Sequence, residues 1–214
     1  MRPLEEGLRQ GALALSLELG EAQIGQLLQY LAMIQKWNRV YNLTAVRDPM
    51  EMLTHHLLDS LSVVEPLRHQ TQAGSIRLLD VGSGAGLPGV VIAICCPEIS
   101  VTCIDAVAKK AAFVQQTAAS MRMPNLRGAH GRVEELRETY GVVSSRAFAS
   151  LADFVTLSEP ALAPEGIWLA MKGKRPDDEI AGLPPAAQMF HVEPLQVPGL
   201  HAERCIVWMK RTVA

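Results

Sequence analysis

Apolar residues in the first third of the chain recur every three to four positions. Leu4, Leu8, Ala12, Leu15 and Leu19 form one stripe, and Ile24, Leu27, Leu28, Leu31 and Ile34 a second that ends near Trp37. That period predicts amphipathic helices. Asp48-Pro49-Met50-Glu51 carries the start signals of a third: a capping acid, a proline at the first helical position and a carboxylate three residues after the cap. This helix is expected to run through LTHHLLDSLSVV and stop before Pro66, leaving RHQTQAGS as a polar link. Residues 1–70 are therefore expected to form a helical cap, and residues 71–214 the main domain.

At Ile76 the pattern changes. Ile76–Val81, Ile99–Ile104, Leu126–His130, Tyr140–Phe148 and Gly166–Lys172 are short apolar runs, several without the alternation of a half-exposed strand. Helical patterns at Leu87–Cys95, Val107–Met121 and Ser150–Pro164 separate them, the last interrupted by Pro160 and Pro164. Strand and helix in alternation predict an α/β fold with a parallel sheet buried on both faces. Met189–Val197 and Cys205–Lys210 then read as an antiparallel hairpin about Pro198-Gly199.

The junction after the first strand carries the chemistry. Gly82, Gly84 and Gly86 alternate with the small residues Ser83 and Ala85. Such a loop lets the backbone turn sharply and lets a ligand approach the main chain. Pro88 then opens a helix at a position where a missing N–H costs nothing. Gly84, Gly86 and Gly89 satisfy the dinucleotide spacing G-x-G-x-x-G. Asp80 at the strand end argues for a different ligand, because its carboxylate would face an amino-acid ammonium better than a pyrophosphate. D-x-G-x-G-x-G is also similar to the first motif of class I S-adenosylmethionine methyltransferases. Asp105 closes the second strand about 20 residues past the glycines, where ribose hydroxyls are gripped, and serves either cofactor. Val133 and Glu134 follow the third strand, where an adenine amino group could be met.

With 214 residues, 49% hydrophobic and 20% charged, the chain is expected to fold. Its net charge of −2 advertises no general affinity for nucleic acid, so any RNA contact must come from a local patch. One candidate is the stretch from Ala106 to Arg132, which contains Lys109, Lys110, Arg122, Arg127 and Arg132 and no acid. Cys95, Cys96, Cys103 and Cys205 form no C-x-x-C pair and read as buried thiols. His55 and His56 are adjacent on a helix and cannot chelate on one face, so no metal is expected. With Asp59 they read as a hydrogen-bonded structural group. Asn38, Tyr41 and Asn42 either cap a helix end or present polar groups beside the pocket mouth. No signal peptide or membrane span is evident, and a cytoplasmic location is expected.

The residues also narrow the methyl acceptor. After the fourth strand, Ser144-Ser145-Arg146-Ala147 lacks the Asn/Asp-Pro-Pro type of motif used on exocyclic amines. No cysteine sits where a pyrimidine-carbon mechanism needs one. Guanine N7 has a free in-plane lone pair and no proton to remove, so positioning alone would suffice.

DVGSGAGLPG, R-V-E-E, S-R-A-F-A-S-L and M-K-G-K occur in order, with W-N-x-x-Y-N-L-T and H-x-x-D-S-L upstream. Together they resemble the RsmG (GidB) family of bacterial 16S ribosomal RNA guanine-N7 methyltransferases, from about Trp37 onward. The resemblance implies a Rossmann-like class I S-adenosylmethionine-dependent methyltransferase fold, with a seven-stranded, mostly parallel sheet and an antiparallel C-terminal hairpin. It also implies S-adenosylmethionine as cofactor, held at Gly82, Leu87, Val133, Glu134 and Arg146. Lys109, Arg132, Lys172 and Arg204 would face the RNA. In this reading Asp80, Gly84, Gly86 and Asp105 complete the cofactor set, and Arg146 and Lys172 orient cofactor or guanine as the catalytic pair. The expected partner is 16S ribosomal RNA, free or in an assembling small subunit, and the protein is expected to act as a monomer away from membranes. The rival expectations are a non-catalytic nucleotide-binding regulator and a small-molecule methyltransferase with a closed apolar pocket under the cap.

Overall fold

In the computed structural model the described residues are 2–146, 148 and 150–212. Residues 147 and 149, inside the S-R-A-F-A-S-L motif, lie outside them, as do residues 1, 213 and 214. Helix α1 (Arg2–Ala14) takes in Leu4, Leu8 and Ala12 of the first stripe but stops before Leu15 and Leu19, and α2 (Glu21–Tyr41) carries the second stripe past Trp37. The Asp48 carboxylate caps α3 (Pro49–Met52) by accepting from the amides of Met50 and Glu51 at 2.9 and 3.0 Å, as the start signals predict. The helix then widens into a π-helical stretch, Leu53–Leu58, before α4 (Asp59–Leu61).

The run ends at Leu61, and Pro66 lies in the next helix. It sits in the first turn of α5 (Val64–Thr71), where no intrahelical partner awaits its missing N–H, so half of the expected polar link is helical.

Strands β1 (Arg77–Val81), β2 (Ser100–Asp105), β3 (Leu126–His130), β4 (Tyr140–Arg146), β5 (Leu162–Lys172), β6 (Ala187–Leu195) and β7 (Arg204–Arg211) form one sheet. Their order is β3-β2-β1-β4-β5-β7-β6. The first five pair in parallel, and β7 joins β5 and β6 antiparallel. Between the strands lie α6 (Gly89–Cys95), α7 (Ala108–Ser120), α8 (Leu151–Ser158) and α9 (Asp177–Ala181). Strand β5 begins four residues earlier than the apolar run suggests, taking in Pro164.

Adjacent strand residues enter different cores. Leu78, Val142, Leu169 and Trp208 pack with α6, α7 and the cap helices, whereas Leu79, Val143, Trp168 and Val207 pack with α8. Burial on both faces is why the strands read as continuous apolar runs. Leu8, Leu27, Leu31 and Leu57 belong to the same cluster as α6 and the sheet, so the N-terminal helices and the sheet layer share apolar contacts. No helix among the described residues is long and apolar enough to cross a membrane.

Candidate active site

The sheet order reverses between β1 and β4, and ligands of open α/β sheets settle outside the carboxyl ends of strands at such a point. Two hollows lie there. One, about 180 Å³, is lined by Gly82, Asp105, Arg132, Val133, Glu134 and Phe148, among others. The other, about 440 Å³, lies under the cap and is lined by Val46, His55, His56, Asp59, Arg146, Met171, Lys172, Gly173 and Arg204. The end of β4 joins them: Arg146 lines the second and Phe148, two residues on, lines the first.

The glycine loop is held from beneath. Gly82, Gly84 and Gly86 all have positive φ, at 65°, 60° and 89°. The amides of Gly82 and Ser83 donate to the Ile104 carbonyl at 2.9 and 3.2 Å. Asp105 receives the amide of Gly84 on one carboxylate oxygen (3.0 Å) and that of Val107 on the other (2.8 Å). The Tyr30 hydroxyl, fully buried in α2, donates to the Ala85 carbonyl at 2.6 Å, so the cap grips the loop directly. The space above is open: a Cβ on Gly84 would meet nothing within 4 Å, and one on Gly82 only the Phe148 ring at 3.9 Å. A cradle with free space above it and a carboxylate at its lip fits an adenosine carrying an amino-acid chain.

Asp80 corrects the sequence reading. Its side chain is wholly buried, accepting from the Gly89 amide and the Ser144 hydroxyl, both at 3.0 Å. It ties β1 to α6 and β4 and lines neither hollow. Leu87 is likewise buried in the core and lines neither hollow.

The cations divide. Arg146, Lys172 and Arg204 converge on the larger hollow, Arg132 lines the smaller, and Lys109 lies exposed at the start of α7, lining neither. The stretch that lacks acids in sequence is partly neutralised in space. Lys110 stands 3.8 Å from Asp105, Arg127 3.3 Å from Glu138 and Arg132 3.5 Å from Glu134. Lys172 is paired with Glu179 at 2.8 Å.

Asp59 is the residue the sequence reading undervalued. Its carboxylate is almost wholly buried and accepts from Arg204 Nε on one oxygen (2.8 Å) and Arg146 Nη1 on the other (2.9 Å). Arg146 Nη1 also donates to the His55 carbonyl at 3.0 Å. The π-helical turn just before Asp59, a distortion that often marks functional sites, and the H-x-x-D-S-L motif were the available signals.

Two buried groups here have opposing pH dependence. Burial pushes the Asp80 carboxyl up to about 6, with only partial relief from its hydrogen bonds. Burial, helped by the charge of Arg146, pushes His56 down to about 4. The raised carboxyl contributes stability that is complete below its unfolded value of 3.8 and lost as pH rises through about 6. The depressed histidine contributes stability that is complete above 6.5 and lost as pH falls through about 4. Each full shift corresponds to about 3 kcal/mol, so the two slopes offset one another over this window. Asp80→Asn is expected to make the urea midpoint climb between about pH 4.5 and 6.5 relative to wild type, and His56→Gln to make it fall. Profiles parallel to wild type in both variants would overturn the assignment.

The family described as "GidB: rRNA small subunit methyltransferase G" matches residues 23–207. The chain belongs to this family. A protein of Paracidovorax citrulli (strain AAC00-1) named "Ribosomal RNA small subunit methyltransferase G" is 65% identical, covering 97% of this chain and 90% of its own length. One of the same name from Verminephrobacter eiseniae (strain EF01-2) is 55% identical, over 97% and 94%. Solved structures share the fold at low identity. TrmN from Thermus thermophilus superposes with TM-score 0.58 at 16% identity, covering 75% of this chain and 53% of its own. A SAM-dependent methyltransferase from Aquifex aeolicus gives 0.53 at 12%, covering 76% and 98%. The RsmG (GidB) family member described here is thus a methyltransferase with the mostly parallel sheet and antiparallel C-terminal hairpin expected from its sequence.

Proposed function

We propose that this protein, acting in the cytoplasm as a monomer, methylates N7 of one guanine in 16S ribosomal RNA, with S-adenosylmethionine as donor. The cofactor supplies a methyl group on a positively charged sulfur. Gly82 and Gly84 leave room for its methionine portion, Gly86 lets the loop pack against Val90 and Val114 beneath it, Asp105 accepts from the ribose hydroxyls, and Val133 and Glu134 bound the adenine. Leu87 supports the loop from the core. The guanine enters the larger hollow, where Arg146 and Lys172 orient it from the tips of β4 and β5. Lys109, Arg132 and Arg204 hold phosphates around the two openings.

One observation carries the choice of acceptor atom. Asp59, the one carboxylate lining the larger hollow among the described residues, already accepts from two guanidinium groups, which supports an acceptor atom that needs no carboxylate base. Guanine N7 presents a lone pair without a proton, so holding it in line with the methyl group is enough. Six of that hollow's nine lining residues are charged or polar, and it is open to solvent. This disfavours the closed apolar pocket of a small-molecule enzyme. The test is to map N7-methylguanine in ribosomal RNA from cells with and without the gene. One N7-methylated guanine in 16S RNA that disappears with the gene is the expected result. An unchanged map, or loss of a methyl group on a different atom, would reject the proposal.

A further inference from the structure

We infer that the exposed end of α2 and the loop after it form a docking strip for the single-stranded RNA beside the target guanine. This rests on the function proposed above and adds a surface that reading leaves unused.

Between Glu21 and Asp48 the chain contains no acid, yet it carries Lys36, Arg39 and Arg47. All three are exposed, and none stands within 4.0 Å of a carboxylate among the described residues. Arg39 and Arg47 come together around a shallow hollow of about 250 Å³, which Gln35, Asn38, Pro49 and Met52 complete without a carboxylate. The nearest acid in sequence, Asp48, is turned into its capping bonds. In a chain of net charge −2, this is a local excess of cations facing water.

Beside the cations lie apolar surfaces that a folded chain normally hides. Val40 is 70% exposed, Met50 46% and Tyr41 39%. The Tyr41 ring leans on Trp37, with centroids 5.0 Å apart, and Trp37 meets Phe113 of α7 edge-on at 5.3 Å. Tyr41 is thus backed by a rigid aromatic column while its outer side stays free. The loop is equally fixed. Asn42 ends α2 in the left-handed region (φ 48°), and the buried Asn38 side chain accepts from Thr44 N (2.9 Å) and donates to Val46 O (3.3 Å). Little ordering remains to be done on binding.

The strip leads into the larger hollow. Val46, adjacent to Arg47, lines it with Arg146, Lys172 and Arg204. A guanine that enters must leave its stack, which leaves neighbouring bases unstacked and their phosphates splayed. Cations spaced along an exposed aromatic are the standard answer to such a strand. Charge and continuity with the site therefore favour RNA over an apolar protein partner.

The test compares Arg39→Ala/Arg47→Ala and Tyr41→Ala with wild type on an RNA fragment bearing the unmodified target guanine and its flanks, measured at several salt concentrations. The double variant is expected to bind at least about tenfold more weakly and to lower the salt slope by about 1.4, near 0.7 per lost phosphate contact. Tyr41→Ala is expected to weaken binding about tenfold with the salt slope unchanged. Turnover at saturating RNA and affinity for S-adenosylmethionine should stay at wild-type values in both. If both variants bind the fragment like wild type, the strip is not used, although methylation by wild type would leave the proposed function standing. Losses seen only on assembled subunits and absent on the fragment would assign the patch to a ribosomal protein, overturning the inference. Failure of wild type to bind or methylate any ribosomal RNA would instead strike the functional reading itself.

Discussion

Replacing Asp59 with alanine is expected to cut methyl transfer to ribosomal RNA by about a hundredfold while costing about 2–3 kcal/mol of stability. The carboxylate is 3% exposed and bridges Arg146 on β4 to Arg204 on β7, two segments with no backbone pairing between them. Removing one partner of a buried pair typically costs about 3–5 kcal/mol. Here the two guanidinium groups are about a quarter exposed and can turn to water, which lowers the figure. Their new positions are what harms catalysis. Each arginine loses the acceptor that fixes its angle, and a guanine misplaced by an ångström forfeits in-line geometry. Asp59→Asn separates the two effects. It fills the same volume, but its amide NH2 meets an arginine donor head-on, so one guanidinium must swing away. Turnover at saturating RNA should fall about tenfold or more, with a smaller loss of stability than in Asp59→Ala because no cavity is left. If both variants lose only stability and keep wild-type turnover, Asp59 is a staple of the fold and has no part in positioning substrate.

Much of this site was legible because its signals are local. The Ile76–Gly89 stretch writes strand, loop and helix within a few residues, and β3 falls on the residues its apolar run marks. The place of Asp105, at the end of β2 and beside the glycine loop, was readable because it lies a fixed distance beyond the glycines. Asp59 was not, because its meaning depends on Arg204, 145 residues away, and no local period encodes that meeting. The cations between Ala106 and Arg132 misled for the same reason: Glu138, outside the stretch, folds back onto Arg127, and Asp105 lies just before it. Asp80 misled differently. Its position at a strand end is compatible with facing a ligand or facing the interior, and only the placement of Gly89 and Ser144 decides. Pro66 marks the stop only loosely: α4 ends at Leu61, and the proline itself sits in the first turn of α5, which has no bond for it to break.

Alanine at Gly84 and at Gly86 should fail in opposite ways, although both glycines have positive φ and belong to one motif. A Cβ on Gly86 would lie 2.5 Å from Val90 Cγ2 and 3.1 Å from Val114 Cγ2, inside the core beneath the loop. Left-handed strain of about 1–2 kcal/mol and overpacking of about 1–3 kcal/mol give a loss of roughly 2–5 kcal/mol, enough to unfold a marginal protein. Gly84→Ala carries the strain without the clash, because nothing lies within 4 Å of the added methyl, so its stability cost is about 1–2 kcal/mol. That methyl projects into the space assigned to the methionine portion of the cofactor. Calorimetric titration should therefore show S-adenosylmethionine binding to Gly84→Ala weakened by about tenfold or more while the protein stays folded. Gly86→Ala should instead lose melting temperature and, where it folds, retain more of its affinity. Wild-type affinity in folded Gly84→Ala would place the cofactor away from the loop, and the roles given to Gly82, Asp105 and Glu134 around it would have to be reassigned.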